Sequence, residues 1–337
     1  MMRRSIKLTI GISAAIFVAL VLFILNQNSY QMTEKKIEIK TPQGLLTGTL
    51  VLPENHSGNV GLVVFVHGDG PINDSYDGGY KPLWEKFASV GYASLSLNKP
   101  GVNGSPGNWL EQSMEDRAQE AIYAIHWAQS LSMIDDTRIG LWGASQAGWV
   151  IPKIVRQEQD IAFSILVSPA INWISQGRYN TKRQMENEGY SVQEIMEEEH
   201  YNEQVLNILR EQSSYTDYLN MTHRGDIIPS DRWEFISKNF QSDATAELTF
   251  FKSPVHLVLG GQDIHVDVKD TELIYRQQIP SNLLSVSLLP NADHSMLKKE
   301  LATSEIRIYL TALFSPKTMF DDQYLTNLSQ FVSQFKP

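Results

Sequence analysis

The sequence predicts an α/β fold: a mostly parallel sheet with helices on both faces, a helical cap inserted into it, and a transmembrane helix ahead of it. Three observations predict the sheet. A continuous apolar run at 61–66 and largely apolar ones at 139–142, 161–167 and 255–260 mark buried strands. Helix-patterned segments separate most of them, which implies right-handed βαβ units. The loops richest in glycine, histidine and aspartate all follow the carboxyl ends of those runs, where such sheets carry their ligands.

Composition narrows the possibilities. At 337 residues the chain can hold one large domain with an insertion, and 42% hydrophobic content is that of a globular protein. A formal charge of −10 argues against a nucleic-acid partner. With no cysteine, disulfides, thiolate metal sites and cysteine nucleophiles are excluded. The eight histidines show no metal-ligand spacing, and neither a P-loop nor a dinucleotide fingerprint is present. No metal and no cofactor is therefore expected.

At the N-terminus, 8–25 is free of charge, with Thr9, Gly11 and Ser13 as weak interruptions. Such a run just spans a hydrocarbon core of ~30 Å. Arg3, Arg4 and Lys7 precede it and the next charge is Glu34, so the positive-inside bias would leave the N-terminus in the cytoplasm and export the rest. A cleaved secretory signal is the alternative, but Asn26-Gln-Asn-Ser-Tyr30 offers no small-residue cleavage site. The expectation is a single-pass anchor at the cell membrane, with 26–36 as tether and the catalytic part outside the cytoplasm.

After the tether, 37–40 and 46–52 read as a hairpin around Thr41-Pro-Gln-Gly44. The strand 61–66 ends in His67-Gly-Asp-Gly-Pro71. A helix over 82–90 carries Leu83, Phe87 and Val90 on one face, and the strand 92–97 leads into a Gly/Pro-rich loop at 98–108. Ser113 caps a helix with Ala118, Ala121, Ile122, Ile125 and Ala128 along its apolar side. From 171 to 253 the chain turns polar and helix-prone, too long for a structureless loop, and reads as a cap over the strand ends. Its aromatics (Trp173, Tyr179, Tyr215, Tyr218, Trp233) could line a pocket, though each is better explained as cap core. Glu197-Glu-Glu199 reads as a solvated helix face. Strands resume at 255–260 and 284–289, with a helix at 273–278 between them. A last helix capped by Asp321 or Asp322 presents Tyr324, Leu328, Phe331 and Phe335 to the sheet. The expected domains are thus 1–29 (basic end and anchor), 30–170 and 254–337 (the two parts of the core), and 171–253 (the cap).

The stretch that decides the chemistry is Gly143-Ala-Ser-Gln-Ala-Gly148, between a strand ending at Trp142 and a helix expected over 146–156. A serine at the apex of a strand-to-helix turn has strained backbone angles and needs small residues two before and two after it. Here Ala147 takes the fifth position, with glycine one step later. Such a serine needs a base to take its proton and a carboxylate to orient that base. Asp263 just after one strand and His294 just after the next supply them in the order Ser…Asp…His.

With these three motifs in that order, the sequence resembles the α/β-hydrolase superfamily. It is particularly similar to bacterial serine esterase-like members with a His-Gly-x-Gly-Pro loop and a Gly-x-Ser-Gln-x-Gly-Trp elbow. The resemblance covers roughly 37–167 and 255–335, not the cap. It implies that Ser145 attacks an acyl carbonyl, His294 moves the proton, Asp263 stays ionised, and the backbone N–H groups of Asp69 and Gln146 form the oxyanion hole. Asp293, Asp267 and Asp270 are the lesser candidates for the acid, and His67 is expected to brace its loop.

Two departures stand out. Asp69 puts a carboxylate beside the expected oxyanion site, opposing the developing charge unless it points away. The family loop resembling Asp-Lys/Arg-Arg-Gly-x-Gly-x-Ser is here Asn98-Lys-Pro-Gly-Val-Asn-Gly-Ser105, without the acidic and arginine positions. The function expected is a membrane-tethered carboxylic esterase working on a small ester or acyl substrate. A thioesterase, amidase or acyltransferase on the same triad, or a non-catalytic binding protein, are the alternatives. A prolyl-peptidase-like enzyme is disfavoured, since too few residues precede the core for a propeller. Oligomeric state is left open.

Overall fold

The computed structural model describes residues 2–55, 58–222, 225 and 227–335, with side chains from residue 12 onward. One eight-stranded sheet runs through it in the order β1-β2-β4-β3-β5-β6-β7-β8. The strands are β1 (Met32–Thr41), β2 (Gly44–Pro53), β3 (Val60–Val66), β4 (Tyr92–Leu97), β5 (Ile134–Ala144), β6 (Phe163–Val167), β7 (Val255–Gly260) and β8 (Leu284–Leu289). β1 and β2 form the expected hairpin, β2 meets β4 antiparallel, and β3 through β8 pair in parallel.

Helices α1 (Met2–Gln27), α2 (Lys81–Ser89), α3 (Met114–Gln129) and α4 (Ile151–Gln157) precede β6. Four more, α5 (Trp173–Glu188), α6 (Val192–Arg210), α7 (Tyr215–Met221) and α8 (Ser230–Asn239), lie between β6 and β7. α9 (Val268–Gln278), α10 (Lys299–Ala302), α11 (Glu305–Phe314) and α12 (Asp322–Val332) complete the chain.

The two-residue period of the strands sorts their side chains into two cores. Leu62, Val64 and Val66 of β3 join the cluster containing Ala118, Ile122 and Ile125 of α3, Ile154 of α4 and Tyr275 of α9. Val63 and Phe65 face the other way, into the cluster of Trp84 and Phe87 of α2 with Tyr324, Leu328 and Phe331 of α12. Burial on both faces is what makes β3, β6 and β7 apolar along nearly their whole length, with the buried Ser164 and His256 as the polar exceptions. α5–α8 build a smaller core of their own around Val205, Leu209, Tyr218, Trp233 and Phe240. Trp233 and Tyr218 belong to it, Tyr215 and Trp173 pack against it, and Trp173 also stacks on Trp149 beneath.

Two expectations need correcting. Among the described residues no helix is long and apolar enough to cross a membrane, so the transmembrane helix is not borne out. Residues 8–11 of the expected span lie outside those whose side chains are described. The helix after the elbow also starts late. Ser145–Trp149 is a 3₁₀ turn and α4 begins only at Ile151, where Pro152, lacking an N–H, sits in the first helical turn.

Candidate active site

All the expected site residues follow the carboxyl ends of strands: His67 after β3, Asn98 after β4, Ser145 after β5, Asp263 after β7 and His294 after β8. Ser145 has φ +54°, a left-handed conformation unusual for a residue with a side chain. Close packing explains the small residues around it. A Cβ on Gly143 would stand 2.6 Å from the Cβ of Ala147 and 3.0 Å from Val66 O. The bare Gly143 therefore makes room for the alanine. A Cβ on Gly148 would meet Ala170 O at 2.2 Å, and Ala170 N donates to Ser145 O at 2.9 Å. The elbow is thus pinned against the loop after β6, which is why glycine at 148 is needed in addition to a small residue at 147.

A second pair of glycines brings acid and base together. Added Cβ atoms at Gly260 and Gly261 would fall 2.2 Å from Asp293 O and 2.7 Å from Pro290 Cα. Without them, the loops after β7 and β8 lie in contact. There His294 Nδ1 is 2.8 Å from Asp263 Oδ2. The other carboxylate oxygen, Oδ1, accepts from the backbone N–H of His265 at 2.8 Å and of Val266 at 2.9 Å, which fixes its plane. Burial works to raise the Asp263 pKa, but the hydrogen bond and charge of His294 and the backbone donors outweigh it and hold it below the usual value. An ionised Asp263 makes Nδ1 of His294 the protonated nitrogen and leaves Nε2 as the acceptor. Among the described residues neither that Nε2 nor the Ser145 hydroxyl has a hydrogen-bond partner.

The other acids have local duties. Asp293 Oδ1 accepts from Ser295 N and Leu297 N, closing its own turn. Asp267 caps α9 through Lys269 N and Asp270 N, and Asp270 lies in the first turn of that helix.

The loop His67-Gly-Asp-Gly70 passes over the elbow: a Cβ on Gly68 would lie 3.5 Å from Ser145 Cβ. His67 braces it from below. Burial lowers its pKa to about 3, so the ring is neutral. Nε2–H then donates to Leu97 O at 2.5 Å, and Nδ1 accepts from Tyr80 Oη–H at 3.0 Å. Lys99, buried, donates to Gly68 O at 2.6 Å and Gly70 O at 2.8 Å. Arg117, also buried, reaches His67 O at 2.5 Å and donates to Gln146 Oε1. Asn98, standing where related loops carry an acid, accepts from Asp74 N at 2.8 Å and donates to Thr47 Oγ1 at 3.0 Å. The altered loop thus straps the 67–70 segment through Lys99.

Asp69 does not stand free. Arg232 of α8 donates to both its oxygens, at 2.6 and 3.1 Å, and Gln146 Nε2 donates to Oδ1 at 3.0 Å. Burial works to raise its pKa, and the hydrogen bonds and charge of Arg232 more than offset that. Tyr179 Oη donates to Asp263 O at 3.2 Å and Asn180 Oδ1 pairs with His265 Nδ1 at 2.8 Å, so α5 also rests on the acid loop.

Sequence reasoning passed over Arg117, Lys99 and Arg232. Arg117 left one signal, a charge at a position on the apolar side of α3 beside Ala118 and Ala121. Arg232 left none, because its partner is 163 positions away.

A strained elbow serine, an acid–histidine pair and an α/β sheet that presents both define a serine hydrolase of the α/β-hydrolase fold. The family described as X-Pro dipeptidyl-peptidase (S15 family) matches residues 24–266, and the chain belongs to it. The chain is also 27% identical over 148 residues to probable dipeptidyl-aminopeptidases B of Neurospora crassa and of Sordaria macrospora. That match covers 38% of this chain but only 15% of those relatives' length. Among solved structures, the Pyrococcus furiosus esterase Pf2001 superposes with a TM-score of 0.57 at 15% identity, covering 90% of this chain and 91% of that one. Est1E from Butyrivibrio proteoclasticus, solved with ferulic acid bound, gives 0.55 at 16% identity over 89% and 97% of the two chains. The Pyrococcus horikoshii acylaminoacyl peptidase gives 0.55 at 14% identity, covering 92% of this chain and 42% of that one. At these identities the likeness is one of fold.

Proposed function

We propose that this serine hydrolase cleaves carboxylic esters of small molecules through an acyl-enzyme on Ser145. The observation that carries the reading is the buried, ionised Asp263 held 2.8 Å from Nδ1 of His294, behind a serine in the elbow conformation. His294 Nε2 takes the proton of the Ser145 hydroxyl as Oγ bonds to the carbonyl carbon. The N–H groups of Gln146 and Asp69 receive the resulting oxyanion. Collapse of the tetrahedral adduct expels the alcohol, which leaves with the proton held on Nε2. Water then repeats the sequence on the acyl-enzyme, releasing the acid and restoring the serine.

Full-length likeness to esterases supports an ester as the substrate, since Pf2001 and Est1E are matched over nearly all of their chains. Peptide hydrolysis is the second reading, favoured by the family itself and by the dipeptidyl-aminopeptidase relatives. The two share every catalytic step and differ in the leaving group. A panel of p-nitrophenyl esters of increasing acyl length, set against X-Pro p-nitroanilides, separates them. The proposal expects kcat/KM for the best ester to exceed that for any anilide; turnover of the anilides alone would replace it with the peptidase reading.

A further inference from the structure

We propose that Arg232, carried by the α5–α8 insertion, is a positioning residue of the oxyanion segment: it neutralises Asp69 and draws its carboxylate away from the oxygen that becomes charged. The inference deepens the hydrolase reading and rests on it.

Asp69 is out of keeping with its place. Its loop crosses the elbow serine, and its own N–H is one of the two expected oxyanion donors, so a free carboxylate there would repel the anion that forms on attack. The carboxylate is instead gripped on both oxygens by Arg232, at 2.6 and 3.1 Å, while Gln146 Nε2 takes Oδ1 at 3.0 Å. Gln146 is the other expected donor residue. Its amide oxygen is held by Arg117, which also reaches His67 O. A continuous polar chain, Arg232–Asp69–Gln146–Arg117–His67, therefore ties the two donor residues to each other and to the insertion.

Arg232 is itself held. Its guanidinium lies over the rings of Phe235, 4.8 Å from the centroid, and Trp109, 5.7 Å away. The same helix is fastened to the body where Asn239 donates to Gln112 O at 3.0 Å and accepts from Met114 N at 3.1 Å. A planar guanidinium seated on aromatic faces meets a carboxylate with both its donors aligned, which a lysine in its place could not reproduce. Asp69 is tolerable beside the reacting oxygen only because α8 is docked.

The test is a double-mutant cycle on the full chain, read with the best p-nitrophenyl ester and with the rate of fluorophosphonate labelling. Arg232→Ala should lower kcat by roughly tenfold to a hundredfold with KM changed by less than about threefold, since the loss falls on the charged transition state. Adding Asp69→Asn removes the uncompensated charge, so the double variant should return to within about threefold of Asp69→Asn alone. A double variant as impaired as Arg232→Ala would overturn the proposal and leave Arg232 a structural tie of α8. So would an Arg232→Ala enzyme whose KM rises while kcat holds. A wild-type chain inert to both ester and probe would sink the hydrolase reading itself; an active wild type without rescue sinks only this inference.

Discussion

Nδ1 of His294 and Oδ2 of Asp263 stand 2.8 Å apart, although 31 positions of chain and a whole strand separate them. The carboxylate has no other orientation open to it, because its second oxygen is committed to the backbone of His265 and Val266. That commitment makes the acid an orienting group for the imidazole and not a spare base.

Asp263→Asn would therefore keep the shape and lose the tautomer. Its amide can donate to Nδ1, which would move the ring proton to Nε2 and remove the acceptor that the serine needs. We expect kcat to fall by about 10³–10⁴-fold, with little change in the circular dichroism spectrum. A fall below tenfold in steady-state kinetics would remove Asp263 from the mechanism.

Stability should decline in acid, and His67 gives the sign. Folded, it stays neutral down to about pH 3; unfolded, it takes up a proton near its ordinary value of 6.5. Between those values the unfolded chain binds more protons, so stability falls as pH falls through that window. The loss amounts to roughly 3 kcal/mol by pH 4 from this residue alone, at about 1.4 kcal/mol per unit. His256, lowered by burial to about 4, acts in the same direction. Urea unfolding from pH 7 to pH 4 checks the slope, and His67→Gln should flatten it. A slope unchanged in that variant would mean His67 is not held neutral.

The fit between Gly143 and Ala147 makes a packing prediction. Gly143→Ala brings two Cβ atoms to 2.6 Å and should cost about 1–3 kcal/mol or distort the elbow enough to slow labelling of Ser145. Ala147→Gly in the same chain removes that one contact, leaving those to Ile151 and Val66, and should restore part of the loss in thermal melts. No recovery would place the strain elsewhere.

How much of this the sequence disclosed depended on distance along the chain. Strands β3, β6 and β7 were legible because burial on both faces writes a nearly continuous apolar run. Ser145, Asp263 and His294 were legible as residues that follow expected strands, and Ser113 and Asp321 do cap their helices. Arg232, Lys99 and Arg117 were not, since each acts on a loop reached only through folding. α10 and α11 left no reading either; α11 exposes Ile306, Tyr309 and Leu310, so its apolar residues do not mark a buried face. The N-terminal run misled in the other direction: its apolar composition suggested a span, and no described helix is long and apolar enough to be one.

The central claim is that Ser145 is the nucleophile, and covalent labelling tests it most directly. The purified chain is treated with a fluorophosphonate, digested, and the modified peptide sequenced by mass spectrometry, with Ser145→Ala in parallel. The account predicts a single adduct on Ser145, absent from the alanine variant. A folded chain that takes no label, or that carries it on another residue in both proteins, would contradict it.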